Sequence, residues 1–250
     1  MAHYSQEKFV EICTKNLKKD NKNFKKFTIL DVGSYDLNGS VKKYFKNNNY
    51  LGVDLYPGPN VDIVMDASQL KDLKKNFDIT ISCNCFEHAK NWYEIFKSMY
   101  DVLNNDGILI FSCASTGFLE HGTKRINPND SFETMHDYYK NLTRRDFEKK
   151  FNIKKMFNIF FFNYNIYSHD LYFVGGKNIK KTKININKIY YETKKIKTLD
   201  KKIYYKRLIY SHILTDKHYQ NLMYYKKKIQ KHVKSFFRNI LFIMLKFLRK

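Results

Sequence analysis

The chain has 250 residues and a formal net charge of +22, from 46 Lys and Arg against 24 Asp and Glu, with 20 Tyr and 21 Phe but only 9 Gly and 3 Pro. A hydrophobic share of 43% over this length builds a real core, which excludes wholesale disorder and fits one moderate domain plus an appendage. No run approaches the ~18 apolar residues of a spanning helix, and Met1 to Lys8 lacks the apolar stretch of a secretory signal, so a cytoplasmic location is expected.

Phe9, Ile12, Cys13 and Leu17 space a first helix. Phe27 to Val32 reads as a buried strand running into Gly33. Asn38-Gly39-Ser40 then supplies turn and cap chemistry for a helix in which Val41, Tyr44 and Phe45 fall at i, i+3 and i+4. Tyr50 to Leu55, Val61 to Met65 and Asp78 to Cys83 read as the second, third and fourth strands. Trp92, Ile95, Phe96, Met99 and Leu103 predict an amphipathic helix, which Asn104-Asn105-Asp106-Gly107 ends before a strand from Ile108 to Cys113. Thr143-Arg144-Arg145-Asp146 has the form of a capping box opening a helix with Phe147 and Phe151. Lys155 to Phe162 and Leu171 to Gly176 predict a terminal hairpin. Strands and helices alternating with short connections predict an α/β fold over residues 1–177. It is a Rossmann-like, doubly wound, mostly parallel seven-stranded sheet with an antiparallel last strand, and a basic, aromatic-rich helical tail follows over 178–250.

In such a sheet a ligand lies beyond the carboxyl ends of the strands. The first strand ends in Asp31-Val32-Gly33-Ser34, where glycine lets a ligand approach the backbone. The second ends in Gly52-Val53-Asp54-Leu55, and an acidic residue some 20 positions after the glycine suits both hydroxyls of a ribose. Asp66-Ala67 follows the third strand, suited to an adenine amino group, and Cys83-Asn84-Cys85-Phe86-Glu87-His88 closes the fourth. Cys13, Cys83, Cys85 and Cys113 are too few for a disulfide framework. Cys83-x-Cys85 without a second pair is a poor zinc site, so reduced thiols and no metal are expected. A phosphate loop is absent, and a nicotinamide dinucleotide would want glycines that are missing.

This succession resembles the class I S-adenosylmethionine-dependent methyltransferases over roughly residues 25–176, in the Asp31-x-Gly33 loop, Asp54, Asp66-Ala67, the Phe77-Asp78 strand and the Leu103-to-Ile110 turn and strand. More narrowly it resembles a bacterial subgroup of type 11 methyltransferases, whose motifs stand here at Gly33 to Ser40, Gly52 to Pro59, Glu120 to Thr123, Asp137 to Thr143 and Ser168 to Phe173. The wider family's G-x-G-x-G loop has Tyr35 and Leu37 for its second and third glycines, so backbone approach there is expected to be looser or shifted toward Gly39. The resemblance implies S-adenosyl-L-methionine as cofactor. It would be held by Asp31, Gly33, Ser34, Asn38, Asp54, Leu55, Asp66, Ala67 and Cys83, with Asp54 on the ribose, Asp66 and Ala67 at the adenine and Gly33 under the methionine part.

A sulfonium methyl is already activated, so the enzyme aligns the acceptor, excludes water and takes up a proton. His88, Glu120, His121 and His169 are the catalytic candidates, all near the same sheet edge. Each has a plainer reading: His88 as a helix cap, Asp170 beside His169 as a hairpin turn, Tyr138 and Tyr139 as core aromatics rather than pocket walls. The Asn/Asp-Pro-Pro-Tyr/Phe signature of base amino-methylation is absent after the fourth strand, which favours a small-molecule acceptor or a sugar of a surface polysaccharide precursor.

Residues 1–170 carry 24 basic and 21 acidic side chains, net +3, and residues 171–250 carry 22 and 3, net +19. Lys outnumbers Arg 40 to 6 and Asn counts 25, a drift typical of A/T-rich codons that accounts for part of the charge. Val233, Phe236, Phe237, Ile240, Leu241, Met244, Leu245 and Leu248 form an apolar stripe among lysines and arginines, suited over residues 228–250 to an anionic membrane surface or to packing on the domain. Tyr190-Tyr191, Tyr204-Tyr205 and Tyr224-Tyr225 among lysines fit the alternative of an RNA-binding protein or RNA methyltransferase.

Overall fold

The computed structural model of the protein describes residues 3–37, 39–131, 137–197, 211 and 213–247. Seven strands form one sheet in the order β3-β2-β1-β4-β5-β7-β6. They are β1 (Thr28–Val32), β2 (Asn49–Asp54), β3 (Ile63–Val64), β4 (Phe77–Cys83), β5 (Leu103–Ala114), β6 (Ile159–Asn165) and β7 (Asp170–Gly176). The first five pair in parallel, and β7 runs antiparallel to both β5 and β6. Fold class, strand number and antiparallel end are those expected from the sequence.

Both faces of the sheet are covered, so its central strands are apolar throughout and adjacent residues point to opposite cores. Leu30, Leu109, Phe111 and Phe173 face one core with Trp92, Phe96 and Met99 of α2 (Trp92–Asp101) and Phe147 of α3 (Arg144–Lys150). Ile29, Ile79, Ile81, Ile108 and Ile110 face the other, with Phe9, Val10, Cys13 and Leu17 of α1 (Tyr4–Asp20). Beyond residue 177 the chain returns to this second core: Ile189 of α5 (Ile186–Thr193) is fully buried in it, and Asn163 Nδ2 donates to Thr193 Oγ1 at 3.0 Å.

Some elements differ from expectation. Ser40 caps as predicted, its Oγ accepting the Lys42 N–H at 3.1 Å, but Val41–Phe45 is a short 3-10 turn, enough to bury Val41 and Phe45. Leu103 belongs to β5, because Phe77 pairs with it across a bulge and the Asn-Asn-Asp-Gly turn lies inside the strand. The sixth strand starts at Ile159, since Ile153–Met156 forms the helical turn α4 capped by Asn152. The capping box is present: the Asp146 carboxylate accepts the Thr143 N–H at 2.9 Å and its hydroxyl at 2.7 Å. The tail holds the 32-residue helix α6 (Asp216–Phe247).

Candidate active site

The carboxyl ends of β1 to β4 open onto a cavity of about 860 Å³ at the point where the chain winds outward from β1 in both directions. Gly33 follows β1 at φ 76°, and a Cβ there would lie 2.7 Å from Cys85 Cβ, so the loop after β4 closes on bare backbone. Asp54 stands at the tip of β2. Its Oδ2 accepts the Tyr35 N–H at 3.1 Å and its Oδ1 the Tyr56 N–H at 3.4 Å, which fixes the carboxylate while leaving lone pairs on both oxygens. Tyr35, in place of the usual second glycine, lays its ring on Gly58, where a Cβ would come within 2.0 Å. Asp66 caps the 3-10 turn Ala67–Leu73, accepting the Ser68 N–H at 2.8 Å.

Gly33, Asp54, Leu55, Asp66 and Ala67 line the cavity together with Tyr35, Tyr56, Asn84 and Cys85. Asp31, Ser34 and Cys83 do not. Asp31 is buried beneath the site, bonded by the Tyr50 hydroxyl, and burial pushes its carboxyl up to about 6 against the pull of that bond. Ser34 is buried with its Oγ against Gly52, and Cys83 sits in the second core with burial raising its thiol to about 12. The cysteine at the wall is Cys85: Cys83 continues the Ile79–Ile81 face into the core, and beyond the strand end the left-handed Asn84, at φ 55°, redirects the chain so that Cys85 meets the cavity. Asn38 lies outside the described residues. A glycine cradle beside an anchored carboxylate fits a ribonucleoside carrying an amino-acid chain. When bound, S-adenosylmethionine supplies an electrophilic methyl there.

On the other side His88, Glu120 and His121 line the same cavity, with Phe118 and Leu119 between β5 and α3. His121 Nδ1 lies 3.1 Å from the Leu119 carbonyl oxygen, which only accepts, so Nδ1 carries the proton and Nε2 is an acceptor in the neutral ring. His88 Nε2, 3.3 Å away, therefore donates to His121 Nε2, and His88 Nδ1 is a bare, buried acceptor with no partner among the described residues. Burial, then the facing His121, pushes His88 down to about 3, and burial also lowers His121. Both are neutral, weak bases. Glu120 is likewise spoken for: Arg125 grips both its carboxylate oxygens and the Thr123 hydroxyl donates to it at 2.7 Å. It anchors the loop.

His169 is not at the cavity. It is buried in the β6–β7 turn at φ 60°, with Nδ1 2.9 Å from the Tyr164 hydroxyl, and it packs on Gly117. Its neighbour Asp170, fully buried, instead holds the side chains of α1: Gln6 Nε2 donates to Oδ1 at 3.1 Å, and His3 Nε2 lies 3.1 Å from the same oxygen. His3 lines the cavity, which the strand-end reading missed. The available signal was the spacing of three that makes His3 and Gln6 neighbours at the start of the helix. Neither Tyr138 nor Tyr139 lines the cavity. Tyr139 instead packs its ring against His88 and His121.

The tail forms the far wall. Gln220, Met223 and Lys227 of α6 line the cavity, and buried Tyr219 donates to the Gly117 carbonyl at 3.0 Å. Gln220 takes the Glu120 N–H at 2.9 Å and donates to the Phe118 carbonyl at 2.8 Å, while Arg125 Nη1 reaches Asn221 at 2.9 Å. No helix among the described residues is long and apolar enough to cross a membrane, and none of their clusters of His, Cys, Asp or Glu is suited to a metal.

No curated protein matches this sequence. Among solved structures, the chain is similar to the plantazolicin methyltransferase BpumL in complex with SAH, at 16% identity, covering 68% of this chain and 84% of that one, with a TM-score of 0.47. It is also similar to the N-terminal domain of EvdMO1 in the presence of SAH and D-fucose, at 14% identity over 66% and 82% with a TM-score of 0.46. A third likeness is to magnesium protoporphyrin IX methyltransferase ChlM from Synechocystis PCC 6803 with bound SAM, at 12% over 71% and 85% with a TM-score of 0.44. Residues 7–111, from α1 through the first nine residues of β5, match the type 11 model of a methyltransferase domain. The matched residues 7–111 thus resemble a type 11 methyltransferase domain, and they carry the glycine and the carboxylate that stand at the switch point of the sheet.

Proposed function

We propose that the protein transfers the methyl group of S-adenosylmethionine to a small-molecule or sugar acceptor, such as a precursor of a surface polysaccharide. The observation that carries this is the wall formed by α6. Gln220, Met223 and Lys227 line the same cavity as His88 and His121, so that α6 walls a pocket where a polymer would need an open groove. In this reading Asp54 holds the ribose, Asp66 and Ala67 the adenine and Gly33 the methionine part, with the acceptor between the histidines and α6. Calorimetry of pure protein with S-adenosylhomocysteine tests the cofactor half; no binding would refute it. Transfer of a labelled methyl into a small-molecule extract, rather than into RNA or protein, tests the acceptor half.

A second surface serves the same reading. Leu222, Tyr225, Ile229 and Val233 fall on one face of α6 and are exposed among Lys226, Lys228, Lys231 and Lys234. An apolar stripe flanked by cations suits an anionic membrane surface, reached through residues 228–250. Pelleting with anionic vesicles should be lost on truncation at about residue 228; equal pelleting of both forms removes the anchor.

A further inference from the structure

Among the described residues three histidines line the cavity, and they are not equivalent. His88 and His121 bond each other and have no carboxylate partner among the described residues. His3 has one, Asp170, which lies at the first position of β7, opposite Ala114 at the end of β5. That carboxylate is itself held, by Gln6 Nε2 at 3.1 Å and the Tyr172 hydroxyl at 3.4 Å. Gln6 also donates to Asn84 Oδ1, so the network reaches the tip of β4, beside the Gly33 cradle.

An acid that accepts from His3 Nε2 fixes the tautomer: in the neutral ring Nδ1 is bare. No described residue bonds that nitrogen, and the His3 side chain is 35% exposed at the cavity, its ring 5.8 Å from Phe118. A buried carboxylate behind an imidazole that faces a ligand site is the arrangement of a general base with its orienting partner.

We propose that His3, oriented and charge-supported by Asp170, is the base that takes the proton from a hydroxyl acceptor during methyl transfer. The proposal deepens the small-molecule reading above and rests on it. The acceptor oxygen's lone pair forms the bond to the methyl carbon as the carbon–sulfur bond breaks and its electrons stay on sulfur, and the hydroxyl proton passes to His3 Nδ1. The resulting imidazolium faces Asp170 and is neutralised by loss of the proton to water. An acceptor already ionised would need no such group, so the acceptor must carry a proton that is lost on transfer, and within the small-molecule or sugar reading this is an alcohol or sugar hydroxyl.

Among the described residues, the charged and titratable groups around His3 come from three elements: Asp170 of β7, Glu87 after β4, and His121 of the loop after β5. Burial alone pushes the imidazole down, but the charge and hydrogen bond of Asp170, with Glu87 adding, carry it above the ordinary histidine value. The other two cavity histidines move the opposite way.

The test is a nuclear magnetic resonance titration of the full chain with isotopically labelled histidine and bound S-adenosylhomocysteine. The expected result is a neutral His3 protonated on Nε2 that titrates above His88 and His121, and that moves down in Asp170→Asn while S-adenosylhomocysteine affinity stays within about twofold. His3→Gln, at the start of α1, guards against misfolding of the buried variant: it should lower labelled-methyl transfer about 10²–10⁴-fold without loss of S-adenosylhomocysteine binding. His3 titrating no higher than the other two, or Asp170→Asn leaving it unmoved, or His3→Gln at full rate, overturns the proposal. Wild-type protein that fails to bind S-adenosylhomocysteine overturns the cofactor reading instead.

Discussion

Asp54 offers the sharpest test of the cofactor half of the site. Its two oxygens are steadied by the Tyr35 and Tyr56 N–H groups, and both keep lone pairs for the hydroxyls of a ribose. A hydrogen bond to a charged group nets about 1.5–3 kcal/mol. Because Asp54 is only half-buried and already bonded, the low end applies, and two such bonds come to about 3 kcal/mol, or roughly a hundredfold in Kd. Asp54→Ala should therefore weaken S-adenosylhomocysteine binding about a hundredfold by calorimetry, and Asp54→Asn, which keeps one acceptor oxygen, about tenfold. The Ala variant also frees two backbone N–H groups, costing about 1 kcal/mol and about 2–4 °C in Tm. An Ala variant with that small loss of Tm and less than about fivefold loss of affinity would refute the placement of the ribose.

Gly33→Ala should strain a backbone at φ 76° and drive a methyl against Cys85, costing at least the 1–2 kcal/mol of a left-handed residue and weakening S-adenosylhomocysteine binding; an unchanged Tm and affinity would contradict the cradle. Glu87 is fully buried, with Oε1 on the Ala114 N–H, and burial raises its carboxyl to about 7. Its folded pKa lies above the unfolded one, so stability falls as pH rises from about 4.3 to about 7. Glu87→Gln should flatten that slope in urea titrations and stabilise the protein at pH 8 by something on the order of 3 kcal/mol. Tyr219→Ala deletes the fully buried ring whose hydroxyl holds Gly117, and should cost about 3–5 kcal/mol of docking between α6 and the cavity wall, seen as rapid proteolysis near residue 215. Resistance equal to that of the wild type would place the helix's anchorage elsewhere.

The parallel sheet was legible because strands covered on both faces read as apolar runs, and Ile29 to Val32 or Ile108 to Cys113 have no other reading beside their turn residues. Helices reported less of their extent. Val41 to Phe45 keeps helical spacing but buries its two anchors in a single 3-10 turn, and local pattern carries no information on where packing stops. At the site, glycine and aspartate at strand tips were readable, because backbone approach and an anchored carboxylate are local properties of a strand end. Asp31, Ser34 and Cys83 were placed at the ligand by sequence adjacency, although alternation along the strand and the turn that follows bury them behind it.

Sequence alone thus determined the α/β class, the strand that reverses, the glycine and aspartates at the strand ends that line the cavity, and the division of charge between a near-neutral domain and a basic tail. Tertiary structure decided who partners whom: Asp170 serves His3, 167 residues away, rather than its neighbour His169; Glu120 is consumed by Arg125; and a tail 100 residues from the loop at Glu120 walls the pocket. The physical reason is that hydrogen-bond partners across a packed sheet are set by strand order and register, which place residues distant in sequence within 3 Å and turn neighbours to opposite sides.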